Sequence, residues 1–280
     1  FPDRFVEMGI TEQNMASLAS GMAAVGKIPF ISSYAMFSPG RNWEQIRTTI
    51  CYNNQNVKIA GAHSGVSVGP DGATHQAIED IAITRVIPNM VVIAPCDSIE
   101  AKKATIAAAK YKGPVYIRFT REKTPVMTTD ETPFEIGKAE IFREGKPARH
   151  ASQGDAGGDV TLIGCGPLVY EALKAAEELA KEGIEAEVIN NHTIKPMDKD
   201  TILKSVKKTG CVVTIEEHQA AGGMGSAVSE ILSQNYPAPM EIIGVQDRFG
   251  ESGEPSELLE KFGLTAKNIA EAVKRVLKRK

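Results

Sequence analysis

The chain has 280 residues, 42% hydrophobic and 24% charged, with a formal net charge of −3. That length holds two domains of roughly 130 residues, each able to bury a core, and the charge gives no electrostatic case for nucleic acid or an anionic membrane surface. No apolar run reaches the roughly 18 residues that cross a bilayer and no signal-peptide pattern is present; the four cysteines Cys51, Cys96, Cys165 and Cys211 form no CxxC pair, so a reduced, cytoplasmic setting is expected.

Short β-rich runs alternate with segments of 3.6-residue period, the pattern of an α/β protein with mostly parallel sheets. The first half reads as helix 11–26, strand 28–33, helix 41–53, strand 57–62, helix 74–87, strand 90–94, helix 98–111 and strand 114–119. Asp97-Ser98-Ile99-Glu100 gives a capping-box start and Gly113-Pro114 a stop. The chain opens on Phe1 rather than Met, and the pattern of the first domain, residues 1–125, reads as lacking its first strand and helix. Periodicity fails after residue 120, and 126–158 reads as an interdomain linker with a short strand near Lys138–Phe142. The second domain, 159–280, restarts with strand 160–164, helix 167–182, strand 184–190, helix 198–208, strand 211–216, helix 223–234 and strand 240–244. Its last helix starts at a Thr265 cap and carries Ile269, Val273, Val276 and Leu277 on one face. The expected architecture is two three-layer α/β/α domains with mostly parallel sheets.

Glu12 stands between an extended apolar segment and the first helix. Its simplest role is a first-turn acid favoured by the helix dipole. A second role is a buried carboxylate, its flanks Gly9, Ile10 and Met15 raising its pKa if they enclose it, that shares a proton with a ligand ring nitrogen. The segment from Ala62 to Gln76 follows one strand and precedes a helix, so it belongs at the carboxyl end of a parallel sheet, where α/β proteins bind ligands. It holds His63, Asp71 and His75 within thirteen residues. Zinc is disfavoured because no fourth ligand has a suitable spacing. A turn at Pro70-Asp71-Gly72 with His75 in a helix start, and proton transfer to a hydroxylated substrate, both stay open.

Met8-Gly9-Ile10-Thr11-Glu12-Gln13-Asn14-Met15, the Tyr34/Phe37 pair in Ser32-Ser33-Tyr34-Ala35-Met36-Phe37, and His63 to Gln76 resemble, in order and spacing, the pyrimidine-binding domain of transketolase. The likeness continues through the second half as the transketolase C-terminal domain and covers essentially the whole chain. It implies thiamine diphosphate chemistry: Glu12 would share a proton with the aminopyrimidine ring and so promote loss of the cofactor's C2 proton, while Tyr34 and Phe37 would pack on that ring. It also implies that His63, Asp71 and His75 line the substrate channel, with Asp71 on a sugar hydroxyl and His75 moving a proton at the donor oxygen. Arg121 would meet the sugar phosphate with its guanidinium fork, alongside His63.

The family's G-D-G motif and following asparagine, which hold a divalent metal (Mg or Ca) at the diphosphate, have no counterpart in that context. Gly154-Asp155-Ala156-Gly157-Gly158-Asp159 is a lookalike in the linker. The resemblance is therefore to the rear portion of the enzyme, as where transketolase is split into two subunits. It implies an N-terminal partner subunit carrying the diphosphate-binding domain and the metal, an α2β2 assembly, and ketol transfer between sugar phosphates. Deoxyxylulose-phosphate synthase, a 2-oxoacid dehydrogenase β subunit and a non-catalytic binding protein on the same fold are the alternatives. Gly164-Cys165-Gly166-Pro167 only loosely imitates a dinucleotide fingerprint, and Ala220 to Ser226 reads as close helix-to-sheet packing.

Overall fold

Runs of Val, Ile and Ala bounded by Gly, Pro and Asn form the strands of two five-stranded sheets. The computed structural model describes residues 1–146 and 157–280. His150 and the Gly154-Asp155-Ala156 part of the lookalike lie outside the described residues.

The first sheet has the order β1 (Phe30–Tyr34), β2 (Lys58–Ala62), β4 (Val115–Arg118), β3 (Val91–Ile93), β8 (Thr193–Lys195). All its pairings are parallel except β3 with β8. Side chains alternate across it, as a two-residue period requires. Val92 and Tyr116 pack with α1 (Glu12–Ala24) and with α2 (Trp43–Gln45), which runs on as a π-helical segment Ile46–Cys51. Val91, Ile93, Val115 and Ile117 face α4 (Ser98–Lys110) through Ala104 and Ala108. As the sequence predicts, Asp97 caps α4 by accepting the Glu100 N–H at 2.8 Å. Glu100 turns back to the Cys96 N–H at 2.6 Å, one residue short of a capping box.

The second sheet has the order β10 (Met240–Val245), β9 (Val212–Gln219), β6 (Val160–Gly164), β7 (Ala186–Asn190), β5 (Glu140–Arg143), parallel except for β5 at the edge. One face packs on α5 (Leu168–Lys181) and α9 (Ala266–Leu277), whose Ile269, Val273 and Val276 are fully buried; each such side chain contributes about 1.5–3 kcal/mol of burial. The other face packs on α6 (Lys199–Thr209) and α7 (Met224–Asn235). Gly223 and Gly225 open α7 so close to the sheet that an added Cβ would meet Glu216 Oε2 at 2.2 Å and Thr214 Oγ1 at 2.6 Å.

Three elements depart from the sequence reading. The expected helix 74–87 shortens to α3 (Asp80–Arg85), preceded by a 3-10 turn over Val66–Asp71. The backbone of residues 77 and 78 is engaged elsewhere: Ala77 O accepts from Gly65 N and Ile78 O from Gln219 N, both at 2.8 Å, which removes two carbonyls from any helix. Strand β8 comes from the second half of the sequence yet completes the first sheet. A further helix, α8 (Pro255–Lys261), has Pro in its first turn, where a missing N–H costs nothing. Among the described residues no helix is long and apolar enough to cross a membrane.

Candidate active site

The carboxyl ends of β1, β2 and β4 and the start of α1 converge, and all seven residues singled out in the sequence lie there. Glu12 is the first residue of α1 and is only 6% exposed. A carboxylate serving only the helix dipole would sit in water; this one is enclosed by residues after β1. Arg41 Nη1 donates to Glu12 Oε2 at 2.8 Å. The buried Asn42 donates from Nδ2 to Glu12 O at 3.1 Å and to Ser38 Oγ at 3.2 Å, fastening the helix start to the post-β1 loop. Among the described residues, Glu12 Oε1 has no hydrogen-bond partner.

Arg41 also joins Glu12 to the aromatic pair, because its guanidinium lies 4.8 Å from the Phe37 ring centroid. Phe37 and Tyr34 run nearly parallel, 6.3 Å apart and 18° from coplanar orientation. Tyr34 in turn stacks on His63 at 3.9 Å. His75 presents its ring edge-on to Phe37 at 5.4 Å and to Tyr34 at 6.1 Å, and Thr74 Oγ1 lies 2.9 Å from its Nδ1. His75 thus belongs to a loop rather than to a helical first turn.

His63 follows β2 directly, at a φ of 55° that few side chains adopt. Burial, reinforced by the Arg121 charge, pushes its ring below the ordinary histidine pKa, with Asp71 and Glu122 partly opposing. Among the described residues, its buried Nδ1 has no hydrogen-bond partner. Arg121 donates from Nη1 to Val68 O at 2.6 Å and lies 3.9 Å from Asp71 Oδ1. Both side chains are about one-third exposed, so this ion pair is worth under about 1 kcal/mol and leaves the guanidinium able to turn to a ligand.

The loop carrying these groups is set by residues the sequence did not single out. Gln76 Nε2 donates to Val66 O at 3.0 Å and to Glu251 O at 2.9 Å in the second domain. Deeper still, Arg118 at the end of β4 donates to Asp80 Oδ2 at 2.8 Å and to Glu217 O at 2.8 Å. Tyr116 OH also donates to Asp80, at 2.7 Å. Burial pushes Glu217 and Glu216 above the usual carboxylate range, with Arg118 pulling back chiefly at Glu217 and His218 at Glu216. Only arrangement in space reveals this network: its members are scattered over β4, α3 and β9 with no local motif. His192 and His218 are both fully buried. A separate pocket of about 360 Å³, lined by Asp97, Ser98, Arg118, Thr120 and Lys123 among others, contains none of the seven site residues.

The residues present fit the ring end of a thiamine cofactor: an enclosed carboxylate with a free oxygen, beside half-buried aromatic rings. Among the described residues no three His, Cys, Asp or Glu side chains are grouped to hold a metal ion.

Residues 1–127 match the family model for the transketolase pyrimidine-binding domain and residues 150–269 that for the transketolase C-terminal domain. The two matches, with the fold, define the class as an α/β subunit of the thiamine-enzyme family. A putative transketolase C-terminal section from Methanocaldococcus jannaschii is 44% identical over 282 residues, spanning 100% of this chain and 84% of that relative. A 6-deoxy-6-sulfo-D-fructose transketolase subunit from Clostridium sp. strain MSTE9 is 43% identical over 279 residues, spanning 100% and 83%. A solved structure described as split gene transketolase, inactive β4 tetramer, superposes with a TM-score of 0.90 at 45% identity, covering 99% of this chain and 86% of that one. The chain belongs to the transketolase family and corresponds to the C-terminal subunit of its split form. The family uses thiamine diphosphate.

Proposed function

We propose that this chain transfers a two-carbon ketol unit between sugar phosphates, and that it does so only with a partner subunit carrying the diphosphate-binding domain. The observation that supports this most is the enclosure of Glu12, 6% exposed, in one continuous cluster with Phe37, Tyr34, His63 and His75. When bound, thiamine diphosphate supplies the nucleophilic carbon that accepts the ketol unit. Glu12 holds a proton at the pyrimidine nitrogen, and Arg41 fixes the orientation of its carboxyl group. Tyr34 and Phe37 wall the ring and keep water from it. His63, held neutral, and His75 receive and return protons at the sugar oxygens; Asp71 accepts from a sugar hydroxyl and Arg121 meets the phosphate.

The metal, Mg or Ca, falls to the partner, because the G-D-G element that would hold it is absent from its expected context. The solved neighbour described as an inactive β4 tetramer supports the expectation that this subunit alone does not turn over. An α2β2 assembly in the cytoplasm, working within pentose phosphate metabolism, completes the proposal. The proposal divides the chain into residues 1–125, a linker 126–158 and residues 159–280; Thr193–Lys195 crosses that division to pair with the first sheet, and Glu140–Arg143, within the linker, pairs with the second.

The test is reconstitution: the chain is mixed with diphosphate-domain subunits, thiamine diphosphate and Mg, and assayed with xylulose and ribose phosphates. Ketol transfer seen only in the mixture supports the proposal. Condensation of pyruvate with an aldose phosphate instead would assign the synthase chemistry, and no cofactor binding with any partner would leave a non-catalytic protein.

A further inference from the structure

The parallel strands of the second sheet end against the first domain. At the switch point between β6 and β9, where an α/β sheet ordinarily opens to a ligand, the space is filled from the other side. Gly166 N donates to Ala94 O at 3.1 Å, and Arg118 enters to bond Glu217 O. The glycine-rich turn after β6 therefore joins domains instead of binding a nucleotide.

One carboxylate at this joint reaches into the loop that carries the candidate substrate groups. Glu217 Oε1 accepts the Ser67 N–H at 2.5 Å, and Glu217 is 2% exposed. Ser67 lies midway along the segment from His63 to Asp71, in the 3-10 turn Val66–Asp71. The fit requires glycine at 65: an added Cβ there would stand 2.3 Å from Glu217 Oε1, and Gly65 has a φ of 85°. The same joint governs the second site segment. Arg118, bonded both to the Glu217 backbone and to Asp80, closes β4 three residues before Arg121. Ala77 O, which accepts from Gly65 N at 2.8 Å, also accepts from Arg118 Nη2 at 3.3 Å, so the His63 loop and the Arg121 loop share one anchor.

We infer that Glu217, from the second domain, is a positioning residue for the sugar phosphate: by receiving the Ser67 N–H it sets His63 and Asp71 relative to Arg121. The second domain thereby takes part in substrate recognition without touching substrate. The inference rests on the ketol-transfer reading for its substrate. It assigns Glu217 its main effect on sugar phosphate binding and at most a small one on the cofactor, because Glu12 and Phe37 are held by Arg41 and Asn42, outside this network, and only Tyr34, stacked on His63, links the two.

Three variants in the full complex with the partner subunit test it. Glu217→Ala removes the acceptor, Glu217→Asp draws it back by one methylene, and Glu217→Gln keeps an oxygen for the Ser67 N–H. KM for xylulose phosphate is expected to rise at least tenfold in Glu217→Ala, with cofactor Kd within twofold of the parent. In the chain alone, amide exchange over residues 64–72 should speed up at least tenfold. Glu217→Gln should bring both values back to within about threefold. If Glu217→Ala does not fold, Glu217→Asp gives the same readout. A parent complex that turns over, with an unchanged KM in the Ala or Asp variant, overturns the inference even if the melting temperature falls, since that is a purely structural residue. Unchanged exchange over 64–72 overturns it as well. A parent complex that neither binds cofactor nor turns over overturns the ketol-transfer reading, and exchange over 64–72 then still decides whether Glu217 sets the loop.

Discussion

Tyr34 and His63 stack face to face, with ring centroids 3.9 Å apart and planes within 7° of parallel. They come from the ends of neighbouring parallel strands: Tyr34 is in register with Ala62, and His63 reaches the tyrosine ring by turning into the left-handed region. That conformation costs most residues about 1–2 kcal/mol, less for Asn, Asp or His, whose polar side chains are enriched there.

His63→Asn should therefore fold within about 1 kcal/mol of the parent, while His63→Val should lose a further 1–2 kcal/mol or so from its branched Cβ. Urea unfolding at neutral pH reads the difference. Both variants should lose most turnover in the reconstituted complex, since both lose the ring. Equal stability in the two would show that the backbone at 63 carries no strain.

A second expectation concerns pH. Burial and the Arg121 charge depress the His63 pKa below 6.5, so the ring is neutral at pH 7 and gains a proton only in more acid solution. Arg121→Gln removes one depressing cause and leaves Asp71 and Glu122, which act upward, so protonation should begin at higher pH. The acid limb of kcat/KM should shift upward accordingly. KM for a phosphorylated sugar should also rise about ten- to hundredfold, as expected for the loss of charge-assisted bonds of about 1.5–3 kcal/mol. An acid limb that stays in place would disconnect His63 from the rate.

His192 offers a stability test away from the site. It is fully buried, stacks on Phe134 at 4.3 Å, and has its pKa pushed down to about 4 by burial. Between about pH 6.5 and 4 the unfolded chain binds a proton that the folded chain refuses, so stability falls as pH falls through that window, by up to about 3 kcal/mol. The raised carboxyls of Glu100, Glu216 and Glu217 act in the opposite sense, so the informative quantity is the difference between parent and variant. His192→Asn keeps a polar atom near Thr193 and should be relatively more stable at pH 4.5 than at pH 7. Parallel pH profiles for the two proteins would mean that His192 is not the group refusing the proton.

Much of this molecule could be read from local pattern. Asp97 and Glu100 marked the start of α4, and the apolar stripe of α9 fell on the buried face, because caps and helical periods are short-range features. Six of the seven candidate residues stand out because three motifs follow one another in the family's order, and the seventh, Arg121, follows β4; the strand ends bring them together. What escaped the reading depends on distant partners. The segment 74–79 has helical composition, but Ala77 and Ile78 give their carbonyls to Gly65 and Gln219. Thr193–Lys195 is too short to signal a strand until it meets β3. Arg41 carries no local motif that ties it to Glu12, and Asp80, Arg118 and Glu217, spread over about 140 residues of sequence, become a unit only when the domains close on one another.

The central claim concerns the proton held by Glu12. Glu12→Gln keeps an oxygen for the Arg41 N–H and should leave the fold and its melting temperature close to those of the parent, since the half-exposed Arg41 limits what that ion pair contributes. Turnover of the reconstituted complex under saturating thiamine diphosphate should drop at least a thousandfold, because an amide cannot give and retake a proton at the pyrimidine ring. A Glu12→Gln complex that keeps parental turnover per folded molecule would contradict the account and leave Glu12 as a helix-start residue.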